Sequence, residues 1–170
     1  DYVFHLAGVT RHKHAHEFME GKYEFTSRLL ELLKKSQKQA PIVTTSSTQA
    51  ELDNPYGRSK KAMEELLLQY QQEIGAPVYI YRLPNVFGKW SKPNYNSVVA
   101  TYCHHIARNQ DIQIHDREAR LTLCYIDDLL EEFFQALSGM PTADGDFYVV
   151  PTTYTMTVSE LASQIQKFKD

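Results

Sequence analysis

The sequence predicts an α/β fold built as a doubly wound parallel sheet. Three observations predict it. Short apolar runs alternate with longer stretches of helical periodicity along the whole chain. The early runs, Tyr2 to Ala7, Pro41 to Thr45 and Pro77 to Leu83, are continuously apolar, as strands covered on both faces are. Hydroxyl side chains, Ser46-Ser47-Thr48, cluster just past the second run, at the edge where parallel sheets bind ligands.

Each element follows in order. Between the first two strands, Phe18, Phe25, Leu29, Leu32 and Leu33 recur at helical spacing from Glu17 to about Lys35. Asn54-Pro55 starts the next helix with an N-cap and a proline at the first helical position. That helix carries Met63, Leu66, Leu67 and Tyr70 and stops at Gly75. After the strand ending at Leu83, a helix is predicted over Ser97 to Asn109, with short strands at Asp111 to His115 and Leu121 to Tyr125. Asp128-x-x-Glu131 and Thr157-x-x-Glu160 both fit the capping box, so a helix is predicted to start at each. The first of these ends near Gly139; the second carries Val158, Leu161, Ile165 and Phe168 on one face.

Composition narrows the function classes. Of 170 residues, 18 are basic and 21 acidic, for a formal charge of -3, which excludes a large basic field for nucleic acid or anionic membrane. No apolar run is long enough to span a bilayer. Two cysteines are too few for a disulfide framework and too isolated for zinc, so a reducing, cytoplasmic setting is expected. His12, His14 and His16 alternate without ligands at metal spacing, and no metal is predicted.

Tyr56-x-x-x-Lys60 places a phenol and an ammonium one helical turn apart. A fixed Lys60 cation is expected to favour the phenolate and lower the Tyr56 pKa, fitting Tyr56 for proton transfer to a substrate oxygen. That spacing also arises by chance. With Ser47 at the preceding strand end, however, the three side chains make a reductase site: a hydroxyl to hold a carbonyl, a phenol to protonate it and a cation to tune the phenol.

Five ordered blocks carry a resemblance. They are His5-Leu6-Ala7-Gly8, Thr44-Thr45-Ser46-Ser47, Asn54-Pro55-Tyr56-Gly57-Arg58-Ser59-Lys60, Arg82-Leu83-Pro84-Asn85-Val86-Phe87-Gly88 and Tyr125-Ile126-Asp127-Asp128. Together they resemble the extended short-chain dehydrogenase/reductases of the sugar-nucleotide epimerase/dehydratase group, over essentially the whole chain. The run from Gly88 to Val98 and the short Ser47 to Tyr56 spacing are most similar to the capsular-polysaccharide reductases. Those enzymes use NADPH to reduce a UDP-2-acetamido-2,6-dideoxy-4-ketohexose and carry a cupin domain after the reductase domain.

The resemblance implies a Rossmann-like sheet, incomplete at its N-terminus, with a small C-terminal substrate-binding part. It implies a truncated core over residues 1–88 and a substrate-binding region over 89–170, together one structural unit. No G-x-x-G-x-x-G occurs in the 170 residues, so the cofactor-binding front end is expected to be missing. The resemblance makes Ser47, Tyr56 and Lys60 catalytic. It gives Ala7, Gly8, Tyr56, Lys60, Leu83 and Pro84 to the cofactor, NADP with NAD possible, and Asn85, Asn96 and Arg120 to the UDP-activated amino-deoxy sugar. Arg11 is a further candidate for the anionic substrate. Two departures stand out: Lys22 replaces a common helix asparagine, and Leu121 replaces an arginine, leaving Arg120 one residue off register.

The expected activity is NADPH-dependent reduction of the C4 keto group. The alternatives are a 4-epimerase or 4,6-dehydratase, against which Thr48-Gln49 counts in place of an acidic pair, or a non-catalytic fragment that binds sugar nucleotide. A homodimer is expected by analogy. Asp127-Asp128 is read as a helix cap, His104-His105 as packing or surface, and Trp90 and Tyr95 as either pocket lining or buried aromatics.

Overall fold

The computed structural model describes residues 1–7 and 23–169. In chain order the strands are β1 (Val3–His5), β2 (Ile42–Ser47), β3 (Val78–Leu83), β4 (Asn85–Phe87), β5 (Arg120–Tyr125), β6 (Ala143–Asp144), β7 (Phe147–Tyr148) and β8 (Tyr154–Thr157). The helices are α1 (Phe25–Lys35), α2 (Pro55–Ile74), α3 (Val98–Ile106), α4 (Ile126–Leu137) and α5 (Val158–Lys167).

The chain divides into two compact units, Asp1–Leu83 with Glu132–Val149, and Pro84–Glu131 with Val150–Asp170. The expected boundary at residue 88 falls within the second of these units. The chain leaves the first unit after Leu83 and returns for Glu132–Val149, where Phe133 meets Phe4 at 5.7 Å and Tyr148 pairs with Tyr81 of β3.

The first unit is the predicted α/β sheet. Its strand order is β1-β2-β3-β7-β6, parallel except for the small β6–β7 ladder, which no pattern in the sequence announced. Ile42, Val78 and Ile80 face Leu30 of α1 and Met63, Leu67 and Tyr70 of α2 in one cluster. Burying each such side chain contributes about 1.5–3 kcal/mol. The alternate residues of β3 turn to the opposite face, where Tyr81 lies 5.3 Å from Phe133 and Tyr79 lies 5.3 Å from Tyr148. Helices therefore cover both faces of this sheet.

Helix α2 forms as its sequence predicts. Asn54 Oδ1 accepts from the Gly57 N–H at 2.7 Å, Pro55 opens the first turn, and Gly75 at φ 74° ends it. Gly57 allows a close approach. A Cβ there would lie well inside 3.0 Å of the Gln49 and Leu52 carbonyl oxygens, so the helix start seats directly on the turn after β2.

The second unit holds a three-stranded sheet, β4-β5-β8, with β4–β5 parallel and β5–β8 antiparallel. Its core joins Tyr102 and Ile106 of α3 to Leu123 and to Leu161, Ala162 and Ile165 of α5. The Thr157 capping box is complete: Glu160 N–H donates to Thr157 Oγ1 at 3.1 Å and Thr157 N–H to Glu160 Oε2 at 2.7 Å.

Two expectations fail here. Asp128 does not cap: α4 starts directly off β5 at Ile126, which puts Asp127 and Asp128 inside its first turn. Residues 111–115 form no strand. Ile112 and Ile114 still pack on the core, but the Gln113 carbonyl is taken by Tyr102 Oη at 3.1 Å instead of a neighbouring strand.

Candidate active site

Ser47 is the last residue of β2 and caps the 3-10 turn Thr48–Glu51, its Oγ accepting from Gln49 N–H at 3.2 Å. That turn delivers the chain to Asn54, and the first turn of α2 carries Tyr56 back over the strand end. The Tyr56 phenol and the Ser47 hydroxyl are hydrogen-bonded. Burial pushes the phenol above its ordinary pKa, and the Ser47 bond pulls it partly back. Tyr56 therefore carries its proton at neutral pH.

This corrects the expectation that Lys60 sets the acidity of Tyr56. Lys60 is 7% exposed, and its Nζ donates to the Thr45 carbonyl at 2.9 Å. Burial lowers its own pKa to about 8, against an opposing pull from Glu64. The physical reason is that desolvation governs both groups. His5, at the end of β1, is buried, and its Nε2 lies 2.8 Å from Thr26 Oγ1. Burial, then the Lys60 charge, holds it below the usual histidine range, so it is neutral.

Ala7 and Leu83 reach the same carboxyl edge of the parallel sheet. Leu83 lies opposite Ser47 in the β2–β3 register, and Ala7 follows β1, whose His5 pairs with Thr44. The first unit thus assembles Ser47, Tyr56, Lys60, Leu83 and Ala7.

Pro84, Asn85, Asn96 and Arg120 lie in the second unit. Asn85 is exposed and its Nδ2 donates to the Thr122 carbonyl at 3.3 Å. Asn96 is exposed just before Ser97, the cap of α3. Arg120 is exposed at the start of β5, opposite Thr157. The Glu160 carboxyl is held low chiefly by the Thr157 N–H, with Arg120 adding to it. Gly8, Arg11, His12, His14, His16 and Lys22 lie outside the described residues.

The aromatic expectation also changes. Trp90 is 98% exposed and Tyr95 44%, so neither is buried, and neither lines the unit's apolar cavity of about 970 Å³. Phe87, Pro93, Val99, Leu123, Tyr154 and Met156 do. His105 Nε2 lies 2.9 Å from Asn94 Oδ1. Among the described residues no group of His, Cys, Asp and Glu side chains is placed to hold a metal ion, and no helix is long and apolar enough to cross a membrane.

The sequence reading missed Glu64 and Arg82. Glu64 is 1% exposed and accepts from Ser46 Oγ at 2.5 Å, from Arg82 Nε at 3.1 Å and from Arg82 Nη2 at 2.7 Å. The available signal was a Lys60–Glu64 spacing of four within one helix.

The parallel sheet of the first unit thus carries a serine, a tyrosine and a lysine at the carboxyl edge of β2 and the start of the helix that follows. The chain belongs to the NAD dependent epimerase/dehydratase family, whose model matches residues 1–150. Over all 170 residues it is 48% identical to the UDP-2-acetamido-2,6-beta-L-arabino-hexul-4-ose reductase of Pseudomonas aeruginosa, of which it covers 45%. The crystal structure of the capsular polysaccharide assembling protein CapF from Staphylococcus aureus matches 99% of the chain at 45% identity and a TM-score of 0.88; the chain covers 45% of it. RMD from Pseudomonas aeruginosa, solved with NADPH, matches 99% at 25% identity and a TM-score of 0.83, with 66% of it covered. The chain thus spans less than half the length of the first two.

Proposed function

We propose that this chain carries the Ser–Tyr–Lys part of a reductase that uses NADPH to reduce the C4 keto group of a UDP-linked 2-acetamido-2,6-dideoxyhexose, in capsule or O-antigen sugar biosynthesis. The observation that carries the reading is the Ser47–Tyr56 hydroxyl pair, with Tyr56 held in its acid form. A reductase must supply a proton to the oxygen it reduces, and a protonated phenol is the state in which Tyr56 can do so. The 48% identity to a UDP-4-ketosugar reductase supports the substrate class.

The described residues suit a bound nicotinamide cofactor. An ammonium has three donors and no acceptor, and the Thr45 carbonyl takes one of Lys60's, which leaves donors for ribose hydroxyls beside Leu83 and Ala7. NADPH supplies the hydride when bound. The chain handles the oxygen: Ser47 donates to the carbonyl, Tyr56 passes its phenolic proton to the oxygen at C4, and solvent reprotonates Tyr56. Pro84, Asn85, Asn96, Arg120, Gly8 and Arg11 are proposed as ligand contacts, and a cytoplasmic homodimer as the working form.

The test is steady-state oxidation of NADPH by the intact protein with the UDP-4-ketosugar. Tyr56→Phe is expected to lower kcat/KM by about 10²-fold or more. A loss under about tenfold rules Tyr56 out as the acid.

A further inference from the structure

Glu64 sits one helical turn beyond Lys60 on α2, and both side chains are buried. A buried carboxylate persists only where donors replace its water. Ser46 and the fork of Arg82 supply them. Arg82 is fixed in turn by Glu51, at 3.0 Å from Nη1, and by the Phe147 ring, 3.5 Å below its guanidinium carbon. These bonds tie the helix bearing Tyr56 and Lys60 to the strand residue next to Ser47.

Lys60 donates to a neutral carbonyl, Thr45, so that contact brings no opposing charge. The titratable groups around it divide clearly. His5 of β1 is neutral because burial and Lys60 itself lower its pKa. Tyr56 is neutral because burial raises its own. Arg82 of β3 is a cation whose charge Glu64 engages. Glu64 is the group that opposes the desolvation of Lys60.

We propose that Glu64 is a positioning residue of this site: its buried carboxylate, fixed by Ser46 and Arg82, keeps Lys60 a charged, three-donor ammonium at neutral pH. An ammonium offers hydrogen bonds to ligand hydroxyls that a neutral amine, with two donors and a lone pair, cannot match in number. The inference rests on Lys60 belonging to the proposed reductase site, but its test needs no sugar.

The test follows the Lys60 side chain by NMR through a pH titration of intact, lysine-labelled protein, assigned with Lys60→Arg. The wild-type midpoint is expected at about 8. Glu64→Gln keeps the size and a Ser46 contact while removing the charge, and is expected to lower the midpoint by about one unit or more. Ser46→Ala removes a hydrogen bond but no charge and is expected to leave it in place. An unchanged midpoint in Glu64→Gln, or an equal fall in Ser46→Ala, overturns the proposal.

Should Glu64→Gln alone fail to fold, Glu64→Gln/Arg82→Gln removes the Glu64 charge together with that of the Arg82 cation it pairs with. A fall in the same direction is expected, smaller because the Arg82 cation is lost with the carboxylate, and an unchanged midpoint there overturns the proposal as well. Absence of ketosugar reduction would overturn the function proposed above without altering the titration.

Discussion

The Tyr56 phenol is hydrogen-bonded to the Ser47 hydroxyl, and that bond is what draws its pKa down against the upward push of burial. Serine is therefore more than a hook for a carbonyl. It eases the release of the neighbouring phenol's proton, against the larger opposing push of burial.

Replacing Ser47 by alanine removes that downward pull. The Tyr56 pKa is expected to rise further above the ordinary tyrosine value, read from tyrosinate absorbance against a Tyr56→Phe control. In the intact protein kcat/KM is expected to fall by about 10²-fold, since carbonyl polarisation is lost together with the tuned acid. An unmoved Tyr56 titration would show that the Ser47–Tyr56 bond has no influence on acidity.

Lys60 links stability to pH. Its folded pKa of about 8 lies below the ordinary 10.5, so between these values the unfolded chain binds more protons than the folded one. Stability from this group must rise with pH across that window and stay flat below it. Lys60→Met removes the dependence. From pH 8 to 10.5 wild type is expected to gain about 3 kcal/mol relative to the variant, measured by urea unfolding at a series of pH values. Parallel pH profiles for the two proteins would refute a lowered Lys60 pKa.

Gly57 has no room for a side chain, because the atoms in the way are the backbone carbonyls of Gln49 and Leu52. Gly57→Ala is expected to cost about 1–3 kcal/mol of stability as the helix start shifts off the turn. It should also lower turnover by moving Tyr56, the residue beside it. A urea midpoint equal to wild type would show that the turn accommodates the methyl group freely.

Much of the local structure in both units was legible in sequence. The α2 boundaries follow from Asn54, Pro55 and Gly75, and the α5 start from Thr157 and Glu160, because caps act between residues within one turn. Ser47, Tyr56 and Lys60 were legible as a set because strand end and helix start are close neighbours in the chain. Asp128 misled for the opposite reason. Its pattern fits a cap, but β5 runs straight into α4 and the helix begins two residues earlier.

Periodicity, caps and the order of strand and helix are short-range properties, so the chain's residues alone were enough to specify an α/β sheet with Ser47, Tyr56 and Lys60 near its edge. The burial of Lys60, the pairing of Glu64 with Arg82 18 residues away, and the return of Glu132–Val149 to the first unit arise from long-range packing. Desolvation is a property of the assembled surroundings. It set Tyr56 as the protonated partner and lowered the Lys60 pKa, reversing the tuning that the Tyr–Lys spacing alone suggested.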